Sequence, residues 1–95
     1  MELVYLIVAY IYNMVSIDYI KDKILQSIQC EVCEVQDQSD TAAKYQVLIV
    51  SESFQSKSLI QRHREVYSLF AEELQGPIHA LSLSTLTPSQ YNLKH

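Results

Sequence analysis

A small α+β sandwich, with helices stacked on a three-stranded sheet, is the fold class this sequence predicts. Three observations predict it. Apolar residues recur with a helical period over 16–29 and again over 59–74. Segments 32–36 and 44–51 alternate or run apolar with β-branched residues, as strands do, and 78–86 reads as a third strand. The order helix, strand, strand, helix, strand carries no internal repeat, so one layer of helices on one sheet satisfies all the apolar faces.

The elements follow in order. From Leu3 to Ile17 there is no charge, and only Asn13 and Ser16 are strongly polar. A membrane span needs about 20 apolar residues, so this stretch is short for one. Glu2 stands where a signal peptide is basic, no small-residue cleavage site follows, and the arginines of a transit peptide are missing. Three readings stay open: a non-native or optional extension over 1–15, a helix or strand packed on the domain or a partner, or an anchor through residues 3–17. A chain starting at Met14 would open "MVSIDYIKDKILQ", which looks like an ordinary domain start.

Residues 16–29 read as an amphipathic helix. Ile17, Ile20, Ile24 and Ile28 share one face, while Asp18, Lys21, Asp22 and Lys23 take the others. Ser16 suits the N-cap and Asp18 the first turn. In strand 32–36, Cys33 and Val35 point one way and Glu34 and Gln36 the other. "DQSDTAA" is a polar loop, and "KYQVLIVS" is apolar on both faces, which marks an interior strand hairpinned to the first. Ser58 and Gln61 form a capping-box pattern ahead of a helix read from Leu59 to Leu74, with a short break near residue 61. Leu59, His63, Val66, Phe70 and Leu74 form its inward stripe, and Gly76-Pro77 stops it. "IHALSLSTL" is the last strand, and Thr87, Pro88 and Ser89 open a short terminal helix or turn.

Ninety-five residues make one domain with a thin core, since a chain this short buries only about two thirds of its unfolded surface. A net charge of −4 argues against tight non-specific binding to a phosphate backbone. One glycine cannot supply the Gly-x-x-Gly clamp that KH domains place on single-stranded nucleic acid. No nucleophile elbow, phosphate-cradling glycine loop or histidine-rich cluster is present, so the chain reads as a non-enzyme. Two cysteines are too few for a disulfide framework and suggest a reducing compartment. Cys30 and Cys33 make a C-x-x-C string, but a redox dithiol favours a helix N-terminus, and this one straddles a helix end and a strand. Zinc would need a second pair. Cys33 therefore reads as core and Cys30 as the more available thiol.

Phe54 and Lys57, then Arg62-His63-Arg64 with Val66, then Glu73-Leu74, Ile78-His79-Ala80 and Thr87-Pro88 together resemble the BolA family. The likeness extends back through "KYQVLIVS", "CEVQD" and "SIDYIKDKILQ", so it covers 16–93 as a BolA-like domain and leaves 1–15 as an apolar extension. The resemblance implies a KH-like (class II) αββααβ sandwich with a small mixed sheet. It also implies a non-enzymatic partnership with a monothiol (CGFS-type) glutaredoxin, sharing a bridging 2Fe-2S cluster with that protein and glutathione in iron–sulfur trafficking or iron regulation. The isolated chain would be a monomer without the cluster, in the cytoplasm or in cytoplasm and nucleus. Founding bacterial members also suggest the alternative of a DNA-binding transcription regulator.

Two positions depart from the pattern. Ser56 replaces the usual glycine, and the loop between the first strands offers neither the Cys nor the His that usually supplies a second cluster ligand. On the resemblance His79 is a metal ligand; read by itself, beside Leu81 and Leu83 on one strand face, it is a hydrogen-bonded core residue. Asp37 or Asp40 is a weak candidate for the second ligand, carboxylate being hard for a cluster iron. His63 reads as structural, capping or bonding a backbone carbonyl. Arg62 and Arg64, on more exposed faces, read either as solvated charge or, with Lys57, as a basic patch for glutathione or an acidic partner. The same three residues carry the nucleic-acid alternative. A partner surface is thus expected around His79, Lys57, Arg62, Arg64 and loop 37–44.

Overall fold

The structure, a computed structural model, describes residues 15–38, 44–78 and 80–94. The expectations for the apolar start therefore lie outside the described residues from 1 to 14, and so do those for His79 and Asp40.

Helix α1 spans Ile17–Ser27. Ser16 caps it as expected, its hydroxyl accepting the Tyr19 amide at 3.0 Å, with Asp18 in the first turn. Ile20, Ile24 and Ile28 are buried, but Ile17 is 39% exposed. As the first helical residue it sits at the rim, and Val15 takes the inward place instead, its carbonyl accepting the Tyr45 hydroxyl at 2.5 Å.

Strand β1 (Val32–Asp37) runs antiparallel to β2 (Lys44–Val50), and β2 runs parallel to β3 (Ala80–Leu86). The order β1-β2-β3 puts β2 in the middle, as its apolar character requires. One face carries Cys33, Val47, Ile49 and Leu81 into a core shared with Ile20, Ile24, Phe54, Val66 and Phe70. The other face carries the exposed Glu34, Gln36, Gln46 and Ser82. The α+β class and the mixed three-stranded sheet match the expectation.

Helix α2 spans Leu59–Leu69 and begins with the foreseen capping box: Gln61 N–H bonds Ser58 Oγ at 3.2 Å, and Ser58 N–H bonds Gln61 Oε1 at 2.8 Å. No break occurs at residue 61, and the helix ends at Leu69 rather than Leu74. The Phe70 amide reaches back to the Tyr67 carbonyl at 3.0 Å, tightening the last turn, and a separate 3-10 turn forms at Glu73–Gln75. Phe70, fully buried, and Glu73, 1% exposed, both face inward.

The inward stripe of α2 also begins differently from the expected one. Leu59 is 60% exposed and His63 half-buried, while Arg62 and Val66 are buried. Helix α3 (Pro88–Lys94) follows a second reciprocal cap: Gln90 N–H bonds Thr87 Oγ1 at 3.2 Å and Thr87 N–H bonds Gln90 Oε1 at 2.9 Å, with Pro88 in the first helical position. Among the described residues no helix is long and apolar enough to cross a membrane.

Candidate functional site

Strand register decides which expected site residues meet. Lys44 pairs with Ala80, and the Gln38 amide donates to the Lys44 carbonyl at 2.9 Å. Gln38, Lys44, the exposed Asp37 and Ala80 therefore lie at one end of the sheet.

The basic residues lie at the other end. Arg62 Nη1 donates to the Thr85 carbonyl at 3.0 Å, six residues along from position 79. At the strand rise that is roughly 20 Å. Arg62 also donates through Nε to the Lys57 carbonyl and through Nη1 to Gln90 Oε1, both at 3.0 Å. Its guanidinium carbon stands 5.6 Å from the centroid of the Phe54 ring. The expected exposure of Arg62 is thus corrected. At 8% exposure it is an interior clamp joining the start of α2, the end of β3 and α3, because its planar fork satisfies three acceptors that a hydrophobic residue would leave bare.

Lys57 Nζ is paired with Glu65 at 2.8 Å. With Gln61 and the exposed Arg64 these two line an open groove on α2. Lys57 and Arg62 thus lie toward the Thr85 end of β3, away from Ala80, and the basic patch shrinks to Arg64 beside a neutralised pair. The nucleic-acid alternative loses most of its charge in the same way.

His63 contacts Tyr67 edge-on, ring centroids 6.3 Å apart and planes at 89°. Its Nε2 is buried and makes no hydrogen bond, so the expected carbonyl bond does not come from that nitrogen. Tyr67, which the sequence reading passed over, donates its hydroxyl to the Leu81 carbonyl at 2.8 Å and ties α2 to β3.

Cys33 is core, 8% exposed, and Cys30 is half-buried with its thiol on the Ile28 carbonyl at 3.1 Å. Burial first, then the nearby charges of Cys33 and Glu31, push the Cys30 thiol up to about 11, and burial raises Cys33 as well. Cys33 is level with Ile49, toward the Val32 end of the sheet, so neither thiol is placed to serve a ligand set near position 79. Among the described residues no group of three or more His, Cys, Asp or Glu could hold a metal.

A polar knot forms around Glu73. Glu73 Oε2 accepts from Lys23 Nζ at 2.6 Å and from the Tyr19 hydroxyl. Burial raises the carboxyl, but these two donors outweigh it and hold its pKa below the ordinary value. Glu73 was visible in the sequence as a motif residue; its partners, some fifty positions earlier, were not.

Comparison with known proteins gives this arrangement a family. The family model described as BolA-like protein matches residues 24–90. BolA-like protein 2 of Mus musculus is 44% identical over 78 residues, covering 80% of this chain and 90% of that one. Among solved structures, a bol-like protein from Babesia bovis superposes with a TM-score of 0.77 at 32% identity, covering 85% of this chain and 94% of the other. The BolA domain of SufE1 from Arabidopsis thaliana gives 0.71 at 35% identity, covering 78% and 93%. The helix, hairpin, capped helix and final strand, with their motifs in register, place this chain in the BolA-like family.

Proposed function

We propose that the chain is a non-enzymatic adaptor that docks a monothiol glutaredoxin and shares a bridging 2Fe-2S cluster with it and with glutathione. His79 supplies this chain's ligand. The supporting observation is the register that sets Gln38 and Lys44 beside Ala80, the neighbour of position 79 in the chain, at one end of the sheet. A neutral imidazole suits cluster iron, and the glutaredoxin cysteine and glutathione bring thiolates that this chain's buried cysteines do not. The rigid strand that follows position 79 limits ligand motion, and the partner would exclude water on docking.

The test is anaerobic co-purification with a CGFS-type glutaredoxin. Iron and sulfide are counted per heterodimer, and visible absorption and circular dichroism are recorded. His79→Ala is expected to change the visible dichroism and shorten cluster lifetime. Spectra identical to those of the unmodified pair would end the ligand assignment.

A further inference from the structure

Glu73 makes bonds in two directions. Its side chain reaches α1 through Lys23 and Tyr19. Its carbonyl accepts the amides of Gly76 at 3.0 Å and Ile78 at 2.9 Å, closing the turn that leads into β3. Ile78 is 1% exposed and immediately precedes position 79. The Lys23 ammonium is itself fixed, standing 5.7 Å from the Tyr19 ring centroid and 5.6 Å from that of Phe70. One residue thus joins α1 to the segment that delivers position 79.

Stability alone is a poor reason for this construction. Glu73 is 1% exposed, and its Oε1 is buried with no hydrogen-bond partner. A buried ion pair with a bare oxygen carries a desolvation penalty that well-packed apolar residues of the same volume would avoid. What the pair adds is direction: a charge-assisted bond admits one geometry, whereas apolar contacts admit several.

We propose that Glu73 is a positioning residue. Held by Lys23 and Tyr19, it fixes the Gly76–Ile78 turn and so sets the orientation in which the imidazole at position 79 is presented to the partner. This rests on the ligand role given to His79 above, but the orientation itself can be read in the free chain.

The experiment uses the full chain labelled with 15N and 13C, as wild type, Glu73→Gln and Lys23→Met/Glu73→Gln. The double variant removes the pair as a unit, leaves no uncompensated ammonium, and carries the test should the single variant fail to fold. Expected for both variants is at least tenfold faster exchange of the Gly76 and Ile78 amides. The His79 ring signals are expected to shift or broaden, while those of His63 stay in place. The double variant is expected to recover melting temperature without recovering the His79 signals. Wild-type His79 signals in the double variant would reduce Glu73 to a structural role and overturn the proposal, as would unchanged exchange at Gly76 and Ile78. Cluster dichroism with the glutaredoxin forms a separate arm. A wild-type pair without a cluster would defeat the adaptor reading, while the free-chain signals would still decide the positioning role.

Discussion

Replacing Arg62 by alanine should be among the most damaging single changes in this domain, although the sequence places it beside an equally charged Arg64. The side chain is 8% exposed and donates to three acceptors at 3.0 Å, from Lys57, Thr85 and Gln90. Leaving the buried Thr85 carbonyl without its donor costs about 1–3 kcal/mol. The stacked contact with Phe54, at 5.6 Å, adds about 0.5–2 kcal/mol. The other two acceptors are part-buried and recover some bonding from water, so they add about 1 kcal/mol together. The sum is roughly 2.5–6 kcal/mol, which lowers the melting temperature by at least about 10 °C in a domain this small. Urea unfolding reads it directly as a fall in midpoint at unchanged slope. Arg62→Lys keeps the charge but not the fork and should lose about half as much. Arg64→Ala, at an exposed position, should stay within about 0.5 kcal/mol of wild type. Equal stabilities for Arg62→Ala and Arg64→Ala would refute the clamp.

Other expectations can be checked with the same protein. Ala80→Arg, beside position 79, should weaken glutaredoxin binding about tenfold or more, while Arg64→Glu at the far end should change it less than about twofold; calorimetric titration giving the reverse order would move the docking surface. Raising the Cys30 thiol from 9.0 to about 11 cuts its thiolate fraction about a hundredfold, and higher intrinsic nucleophilicity returns about tenfold of that, so alkylation at neutral pH should be about ten times slower than for a free cysteine. Mass-spectrometric labelling rates matching a free thiol would contradict this. Glu73 has a folded pKa held below its ordinary 4.5. It therefore contributes stability above that pH and loses it as pH falls through the lowered folded value. Stability of Glu73→Gln, measured by urea between pH 3 and 6, should fall less steeply below pH 4.5 than wild type; parallel acid limbs would show that the carboxylate adds nothing.

What the sequence made legible was local. Ser16, Ser58 with Gln61, and the spacing of Ile20, Ile24 and Ile28 act within a few residues, and all behave in the structure as the pattern implies. The continuous apolar run of β2 likewise announces a central strand, flanked by β1 and β3. What escaped was set by distant partners. A helical wheel places charge outward, so the sequence runs the inward stripe of α2 through Leu59 and His63 instead of Arg62; the Thr85 carbonyl and Gln90, over twenty residues away, help make a buried guanidinium favourable. The bond from Lys23 to Glu73 likewise joins residues far apart in the chain and leaves no local sign. The candidate site divided for the same reason. Lys57 and Arg62 lie within about two dozen residues of Ala80 in the chain, but the Arg62 bond to the Thr85 carbonyl holds them toward the opposite end of β3.

The bonds from Arg62 and Tyr67 to β3 also bear on self-association. The Leu86 carbonyl is taken by the Ser51 amide beside β2, so the carbonyls of Leu81 and Thr85, odd-numbered on the same strand, turn away from the sheet, where the two α2 side chains occupy them. A foreign strand zipping onto that flank would have to evict a guanidinium and a phenol first. Sheet growth is left to β1, which is bordered by Glu31, Glu34 and Asp37 and so repels another copy of itself. Among the described residues, both flanks of the sheet thereby discourage edge-to-edge β-fibres.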